Sequence, residues 1–484
     1  MSVGLPGQRA KPASFPTEGG GITFAVSFSG RECVMERSET SGGGPLAALK
    51  ASGAAAFVLL ASTASAAEEA AKIDTGDTAW MLVSTALVLL MTAPGLALFY
   101  GGLVRSQNVL GVIMQSFTCM AVLTLQWVLF GYSLAFGETH GGWIGGLDFL
   151  GLAGVGQEPN ADYAATIPHL VFMAYQGMFA IITPALITGA FAERMTFKAF
   201  LVFTLLWATF IYDPMAHWVW GVGGWMRELG ALDFAGGTVV HISSGISALA
   251  AAMLIGKRLG HGHEPMPPHN LPFTVVGAAL LWFGWFGFNA GSALGANGLA
   301  ANAFVTTHVA AAAATCGWMA IEWLLRGKPT VLGAASGAVA GLVAITPGAG
   351  FVTPLAAIAI GFLGGIICYY GIRLKEIIGV DDALDVVGVH CVGGVWGAIA
   401  TGIFASKAVN SAGADGLLHG GAGLLLTQVA AVVATLVYCF AGAWILLKVT
   451  DALVGLRAGE EEEYAGLDLS QHSERAYVLG AVSD

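Results

Sequence analysis

The chain has 484 residues, of which 56% are hydrophobic and only 11% are charged. Soluble domains carry about 25% charged residues, so this composition excludes a disordered chain, a nucleic-acid-binding protein and most cytosolic enzymes. The formal net charge of −11 says less, because the tail residues 460–463 alone supply four carboxylates. The 69 glycines are about twice the usual share of about 7%, which in an apolar chain indicates closely packed transmembrane helices.

The N-terminal part of the chain has the pattern of a leader followed by an export signal. Residues 1–34 are polar, rich in glycine and without periodicity, as in a disordered leader or an upstream over-read of the gene. Residues 35–66 combine a weakly basic stretch, an apolar run at 54–60 and the sequence Ala-Ser-Ala at 64–66, which fits the small-residue cleavage rule. The apolar run is too short to span a hydrocarbon core of about 30 Å. We therefore expect a signal peptide at 35–66, with a disordered leader of no function as the alternative.

Long apolar runs and short polar breaks alternate from residue 76 to residue 450, which predicts a transmembrane domain followed by a tail at 451–484. The pattern gives eleven candidate helices. Their approximate bounds are 78–103, 108–132, 166–189, 197–218, 237–256, 271–291, 302–325, 331–346, 350–372, 386–406 and 420–447.

The basic residues predict the orientation of these helices. The loops after helices 1, 3, 5, 7 and 9 hold nine Lys and Arg residues, whereas the loops after helices 2, 4, 6, 8 and 10 hold two, Arg227 and Lys407. Because basic residues accumulate in cytoplasmic loops, we expect the first set of loops and the C-terminus in the cytoplasm and the mature N-terminus outside. The sequence thus predicts a multi-pass protein of the cell (inner) membrane, with the acidic loop 133–165 facing outward.

An eleven-helix chain can be divided into two five-helix units and a final helix. The second unit then enters the bilayer from the opposite face, and such inverted repeats build transport paths at their shared interface. Each half has a histidine in its last helix, His241 and His390, and an acidic residue shortly before it, Asp233 and Asp385. The predicted fold class is therefore an all-α polytopic membrane protein with two inverted five-helix repeats plus a final helix.

Histidines within the predicted helices are the first candidates for function, because ionisable groups inside a bilayer are rare and usually functional. His241 and His390 lie among glycine and apolar residues. Two neutral imidazoles suit a proton relay, since each ring both donates and accepts. For either one alone, a packed residue bonded to a backbone carbonyl is the alternative. No third His, Cys or carboxylate stands at ligand spacing beside them, so we expect no metal site.

Aromatic residues are the second signal. Tyr175 and Phe179 are spaced i, i+4 and share a face of the third helix, and Ser292 follows Phe288 by one turn. Trp220 lies at the outer end of the fourth helix. Aromatic faces attract a small cation, and a nearby hydroxyl can accept one of its N–H bonds. The alternative is ordinary packing and an interfacial tryptophan belt.

Several segments resemble the ammonium transporter family (Amt/Mep/Rh), and in particular its bacterial Amt type. Residues 233–242 (Asp-Phe-Ala-Gly-Gly-Thr-Val-Val-His-Ile) match the family signature. Similar family segments lie at 94–103, 216–221, 284–292, 381–390 and 455–477. The resemblance covers about residues 76–477.

The resemblance implies a homotrimer in the lipid bilayer, with ammonium or ammonia passing through a pore in each subunit, without a cofactor. It further implies a PII-type signal protein as a partner at the cytoplasmic face. By position it implies an outer cation site of Trp220, Phe179, Ser292 and the carbonyl of Ala235. It places a gate at Phe179 and Phe288 with Tyr175 above it, where its hydroxyl would slightly wet the entrance. It makes His241 and His390 the pore relay, with Gln176 nearby, and gives Asp233, Gln176 and Asp385 structural or electrostatic roles.

The physical properties of ammonium make this mechanism reasonable. Ammonium can donate hydrogen bonds and lose a proton, whereas potassium, of similar size and charge, can do neither. Moving an intact ion through a dry pore carries a large desolvation penalty, so we expect recruitment as ammonium and passage as ammonia, with the proton following the imidazoles. The sequence leaves open whether transport is electrogenic.

Two alternatives to transport stay open, an ammonium sensor that signals through a cytoplasmic partner and a related small-gas channel. An enzyme is not expected, because the sequence shows no nucleophile, cofactor motif or metal cluster.

Overall fold

The computed structural model describes residues 72–477, so the predicted leader and signal peptide lie outside the described residues. Ten helices in this part are long and apolar enough to cross a membrane, and one further apolar helix is shorter. In chain order the eleven are α1 Thr75–Leu103, α2 Ser106–Phe136, α3 His169–Phe191, α4 Phe197–Glu228, α5 Gly237–Ile255, α6 Leu271–Ala293, α7 Gly298–Arg326, α8 Val331–Ile345, α9 Pro354–Ile378, α10 Val387–Phe404 and α11 Ala422–Val454. The tail adds α12 Glu460–Ala465 and α13 Leu467–His472.

Each predicted span coincides with one of these helices, and the predicted fold class is confirmed. The shortest predicted span corresponds to the shortest helix, α8. Its 15 residues rise about 22 Å, less than the hydrocarbon thickness, but its second half is buried among neighbouring helices. The bounds are also set locally, because polar side chains cap the first turns of several helices. Such caps come from Asp74, Thr196, Asn270, Asn297, Thr330 and Thr353.

Helix pairs α1–α6 and α5–α10 pack together at the centre of the molecule, as expected where two inverted repeats meet. Small residues allow the closest approach. Gly245 lies four residues after His241, and a Cβ atom there would clash with the backbone nitrogen of Cys391. Gly394 lies four residues after His390, and its Cβ atom would meet the side chain of Ile242 at 2.9 Å. The two glycines thus occupy matching places in the two halves.

The C-terminal tail packs against the loops that follow α1, α3 and α5. The amide of Thr196 donates to the carbonyl of Leu456 at 3.0 Å, and the amide of Leu259 donates to Glu463 at 2.7 Å. The amide of Gly111 at the start of α2 donates to Asp468, also at 2.7 Å. These loops therefore share one face with the tail, which we call the tail face.

A buried charge network reinforces the tail face and includes the loop after α9. Glu193 pairs with Arg105 at 2.5 Å and with Arg258 at 3.8 Å, and Arg258 pairs with Asp381 at 2.8 Å. Burial alone would raise the pKa of Asp381, but its hydrogen bonds with Arg258 and the charges of Arg194 and Arg258 hold that pKa below its usual range. Opposite charges thus hold the ends of several helices together.

The loop between α2 and α3 lies on the opposite face. It forms two small antiparallel hairpins, one between β1 (Thr139–His140) and β2 (Ile144–Gly145) and one between β3 (Pro159–Asn160) and β4 (Ala164–Pro168). Asp162 and Tyr163 of the second hairpin line a cavity on this face.

Candidate functional site

A cavity of about 240 Å³ opens on the face opposite the tail, and we call it the vestibule. The ring of Trp220 forms part of its lining, and its Nε1 donates to the carbonyl of Asp233 at 3.0 Å. Trp220 meets Phe179 edge-on, with ring centroids 5.8 Å apart and planes at 82°. The full lining is Phe136, Asp162, Tyr163, Phe172, Gln176, Phe179, Val219, Trp220, Arg227, Phe234, Ser292 and Leu294.

Ser292 lines the vestibule, whereas the buried Tyr175 packs behind it. The hydroxyl of Ser292 donates to the carbonyl of Phe288 at 2.9 Å, which leaves the Ser292 oxygen able to accept. The hydroxyl of Tyr175 lies 2.9 Å and 2.7 Å from the carbonyls of Gly287 and Phe288. Because this hydroxyl bonds to the backbone of α6, it does not lie at the opening of the gate, where we expected it to wet the entrance.

Phe179 and Phe288 separate the vestibule from a narrow inner passage. Their ring centroids are 4.3 Å apart and their planes are tilted by 37°. Phe179 lines the vestibule and Phe288 lines the passage. The passage is a cavity of only about 10 Å³, about the room that one water molecule needs. Its other lining residues are His241, His390, Trp285, Met91, Leu96, Phe99, Ile182, Leu186, Val240, Leu281 and Val339.

His241 and His390 meet inside this passage. Their Nδ1 atoms are 3.3 Å apart, and the rings stack at 5.4 Å and 25°. His241 also stacks on Trp285 at 5.4 Å and lies 6.0 Å from the ring of Phe288. In a neutral pair joined through Nδ1, one ring donates Nδ1–H and has a free Nε2 acceptor, while the other keeps an Nε2–H donor. The pair therefore offers one donor and one acceptor to a small polar solute.

A third cavity, of about 410 Å³, lies on the tail-face side of the histidines. His390 lines both the passage and this tail-face cavity, together with residues such as Phe99. The vestibule, the phenylalanine pair, the histidine pair and the tail-face cavity thus follow one another through the bundle.

Comparison with known proteins shows which family the chain belongs to. The pattern of the Ammonium Transporter Family matches residues 79–477. This chain belongs to the ammonium transporter family. It is 56% identical over 403 residues to the ammonium transporter of Bacillus subtilis, covering 83% of this chain and 98% of that protein. It is 51% identical to ammonium transporter Amt1 of Archaeoglobus fulgidus, covering 83% of this chain and 99% of that protein.

Solved structures of similar proteins agree with this fold. Mep2 of Candida albicans superposes with a TM-score of 0.77 at 35% identity, covering 84% of this chain and 94% of that chain. A structure described as a sensor Amt protein superposes with a TM-score of 0.75 at 28% identity, covering 82% and 98%. The fold of this chain thus occurs both in Mep2 and in a protein described as a sensor.

Two aspartates cap the helices that carry the histidines of this family member. The carboxylate of Asp233 accepts from the amides of Gly236, Gly237 and Thr238 at 2.6–2.7 Å, and from the hydroxyl of Thr238. In the second half, Asp382 accepts from the amide of Val387 at 2.8 Å.

The counterpart of Asp233 in the second half is therefore Asp382, and the predicted pairing of Asp233 with Asp385 is wrong. Each capping aspartate precedes its histidine by eight residues, a spacing that could have revealed the match. Asp385 instead pairs with Lys375 at 2.5 Å and lines the tail-face cavity. Burial and the charge of Asp385 raise the pKa of Asp382 to about 6, although Lys375 opposes this change.

Two further predicted residues lie away from their expected neighbours. Gln176 lines the vestibule instead of standing beside the histidines of the passage. Ala235 is fully buried and does not line the vestibule, whereas the adjacent Phe234 does. Within residues 72–477, no group of three His, Cys, Asp or Glu side chains is arranged to hold a metal ion.

Proposed function

We propose that this protein transports ammonium, recruiting the cation in the vestibule and conducting ammonia through the histidine-lined passage. The observation that carries the proposal is the stacked pair His241 and His390 inside an otherwise apolar passage, behind the Phe179–Phe288 pair. The relatives named as ammonium transporters support the substrate.

Recruitment would use the aromatic rings and one hydroxyl of the vestibule. The rings of Trp220 and Phe179 offer cation–π attraction. Because the Ser292 hydroxyl donates to the carbonyl of Phe288, the Ser292 oxygen is available to accept an N–H bond from ammonium. This donor–acceptor pattern favours ammonium over potassium, which has no hydrogen to donate.

Deprotonation would follow from the dryness of the passage. The lining offers no charged partner, so an intact cation would lose its hydration without compensation. Ammonia escapes this penalty and can form hydrogen bonds with the free acceptor and donor of the histidine pair. The same pair gives the released proton a route toward the tail-face cavity, which His390 also lines.

We also propose a membrane orientation and a homotrimeric assembly for the protein, from its basic loops and its exposed apolar surface. The bias of basic residues toward the loops on the tail face favours a cytoplasmic tail face and an outward vestibule in the inner membrane. Exposed apolar side chains around the bundle suit lipid contact and the homotrimer that the family resemblance implies. Crosslinking in the native membrane would test the trimer, and a ladder that stops at the monomer would contradict it.

Variants of the two histidines test the proposal. We expect His241→Ala and His390→Ala each to reduce uptake of labelled methylammonium by at least about tenfold, or to admit potassium, because the polar contacts of the passage are lost. The exposed loop residue His419 gives the matched control, His419→Ala, with uptake unchanged. Histidine variants with normal uptake and normal selectivity would contradict the relay.

The charge that crosses the membrane needs a separate measurement. If the proton follows the histidine pair, ammonium pulses on reconstituted protein will evoke a current that grows with ammonium concentration. Uptake of methylammonium without any such current would contradict the electrogenic form and leave passage of neutral ammonia.

A second candidate function is ammonium sensing, favoured by the likeness to the sensor Amt protein. A sensor would bind ammonium in the vestibule and change its tail-face contacts without substantial uptake. Measuring binding and uptake on the same preparation separates the two functions, because a pure sensor binds and does not transport. A small-gas channel would instead take up methylammonium without inhibition by competing ammonium.

We also propose a PII-type signal protein as a partner of the tail face. That face carries the basic loops and the packed tail, so a partner seated there would cover the tail-face cavity. Adding a purified PII-type protein to the tail-face side of proteoliposomes should reduce uptake. Undiminished uptake together with no binding would contradict this partnership.

A further inference from the structure

The vestibule carries one residue whose charge opposes the proposed substrate. Among the residues that line it, Arg227 is the basic one and Asp162 the acidic one. Arg227 lies near the end of α4, Asp162 lies in the loop between α2 and α3, and both are exposed. A guanidinium in a cavity that recruits a cation calls for a physical explanation.

The position of Arg227 is fixed by the residue that forms the cation site. Its Nη1 donates to the backbone carbonyl of Trp220 at 2.7 Å, while the indole of Trp220 donates to the carbonyl of Asp233 at 3.0 Å. No carboxylate in the described part of the chain forms an ion pair with Arg227. The positive charge is therefore held beside Trp220 without neutralisation by a direct partner.

The size of the vestibule makes this charge effective. A cavity of about 240 Å³ is on the order of 8 Å across, close to the Debye length at physiological ionic strength. Screening at that salt reduces the repulsion to about a third, so the effect is largest at low ionic strength: at about 0.01 M, where the Debye length is about 30 Å, repulsion between two unit charges about 8 Å apart lowers occupancy about two- to fourfold for effective dielectric constants between roughly 80 and 40. For a divalent cation the energy doubles, so the factor is squared, to about four- to fifteenfold at that ionic strength.

We propose that Arg227 is a specificity-determining residue of the vestibule, a charge filter that keeps divalent cations out and still admits ammonium. The filter rests on the proposed transport function. Cation–π attraction and the Ser292 oxygen offset the smaller repulsion of a monovalent ion, and the carboxylate of Asp162 restores part of the attraction. A divalent ion, strongly hydrated and repelled twice as much, has no such compensation.

Two substitutions separate the charge from the hydrogen bond. Arg227→Lys keeps the charge, and Arg227→Gln keeps an amide donor for the Trp220 carbonyl but removes the charge. In buffer of about 0.01 M ionic strength, we expect R227Q to lower the apparent KM for methylammonium about two- to fourfold relative to R227K, with Vmax little changed. In the same buffer, we also expect magnesium chloride to inhibit R227Q at concentrations about four- to fifteenfold below those needed for the wild type or R227K.

Ionic strength provides the second readout. In 0.5 M sodium gluconate the Debye length falls to about 4 Å, so the KM difference between R227Q and R227K should nearly vanish. Asp162→Asn removes the opposite charge and should raise the apparent KM. It tests the same field even if R227Q fails to fold.

The outcomes distinguish this inference from the proposed function. If wild-type protein shows no uptake of methylammonium that ammonium inhibits, the transport function itself fails. If the wild type transports but R227Q and R227K have the same KM and the same magnesium sensitivity, the charge filter is overturned. A fall in Vmax shared by both variants would likewise overturn it, because that result assigns Arg227 a purely structural role.

Discussion

The segments that begin α5 and α10 share one residue spacing but differ in how their capping carboxylates are bonded. Each has an aspartate, a histidine eight residues later and a glycine four residues after that. Each histidine lies in a π-helical turn, Gly237–Ile242 in the first half and Val387–Cys391 in the second. The two segments meet at the centre of the bundle, where His241 and His390 are in contact.

The caps differ in how far their hydrogen-bonding capacity is used. Both oxygens of Asp233 accept from backbone amides, and one also accepts from the hydroxyl of Thr238. In Asp382 one oxygen accepts from Val387, whereas Oδ1 has no partner among the described residues. Both oxygens of the first cap are thus bonded, while the second cap keeps an unused acceptor close to Asp385 and Lys375. The two halves thus share the backbone geometry of the cap but differ in the charged residues around it.

Alanine substitution of the two capping aspartates should give the largest difference in the free energy of unfolding. Asp233→Ala leaves several buried amides without an acceptor, so we expect a loss of roughly 4 kcal/mol in the free energy of unfolding. Asp382→Ala removes one amide acceptor but also a buried carboxylate, so its net change should stay within about 1 kcal/mol at pH 7. Titration with SDS in mixed micelles measures both. Equal losses for the two variants would contradict the difference between the caps.

The two crossing glycines should give the next largest contrast. Gly245→Ala drives a Cβ into the backbone of Cys391, which cannot move without separating α5 from α10, and should lose about 3 kcal/mol. Gly394→Ala meets the side chain of Ile242 and the Gly237 carbonyl at 2.9–3.1 Å, so a small shift should limit its loss to about 1 kcal/mol. Thermal melting in detergent measures the difference, with the exposed Gly423→Ala as control because nothing lies near its Cβ position. A larger loss for Gly394→Ala would show that the second crossing is the tighter one.

The features that could be predicted from the sequence are those that depend on composition along the chain. Long apolar runs locate the eleven helices because each must bury its backbone in hydrocarbon, and the glycine-flanked histidines stand out against that background. The pairing of the loops with the tail face follows from the alternation of helices. These features need no knowledge of contacts between helices.

The features that escaped prediction depend on how helices pack. The direction of the Tyr175 hydroxyl depends on the carbonyls that α6 presents at its π-helical turn, and no local pattern in α3 encodes them. Gln176 faces the vestibule because of the rotation of α3 in the bundle. Asp382 and Asp385 are both aspartates shortly before α10, so residue type does not distinguish them. Only the backbone of the turn before α10 determines which carboxylate reaches the amide of Val387. Side-chain direction in a tertiary contact is what the sequence alone left undetermined.

The smallest expected effect is the pH dependence of stability that Asp382 contributes, which further tests the difference between the two caps. Because the pKa of Asp382 is raised to about 6 from its ordinary value of 3.8, protonation stabilises the fold, and this stabilisation is lost as pH rises from about 4 to about 6. Asp382→Asn keeps an acceptor for Val387 without the charge. The variant should therefore be more stable than wild type at pH 7 by on the order of 2 kcal/mol, and equal to it near pH 4.

A matched variant at the neighbouring carboxyl should respond with the opposite sign. Arg194 and Arg258 hold the pKa of Asp381 below its usual range despite its burial, so Asp381 stabilises the fold when ionised, and its contribution is lost as pH falls. Asp381→Asn should then be less stable than wild type by a nearly constant amount from pH 7 down to pH 4, because the stabilisation by the ionised Asp381 is lost only below its ordinary pKa of 3.8. SDS titrations at pH 4, 5, 6 and 7 measure both variants. If the free energy of unfolding changed with pH in the same way for Asp382→Asn and wild type, the second cap would be as fully bonded as the first. The two halves would then differ only in the residues around their caps.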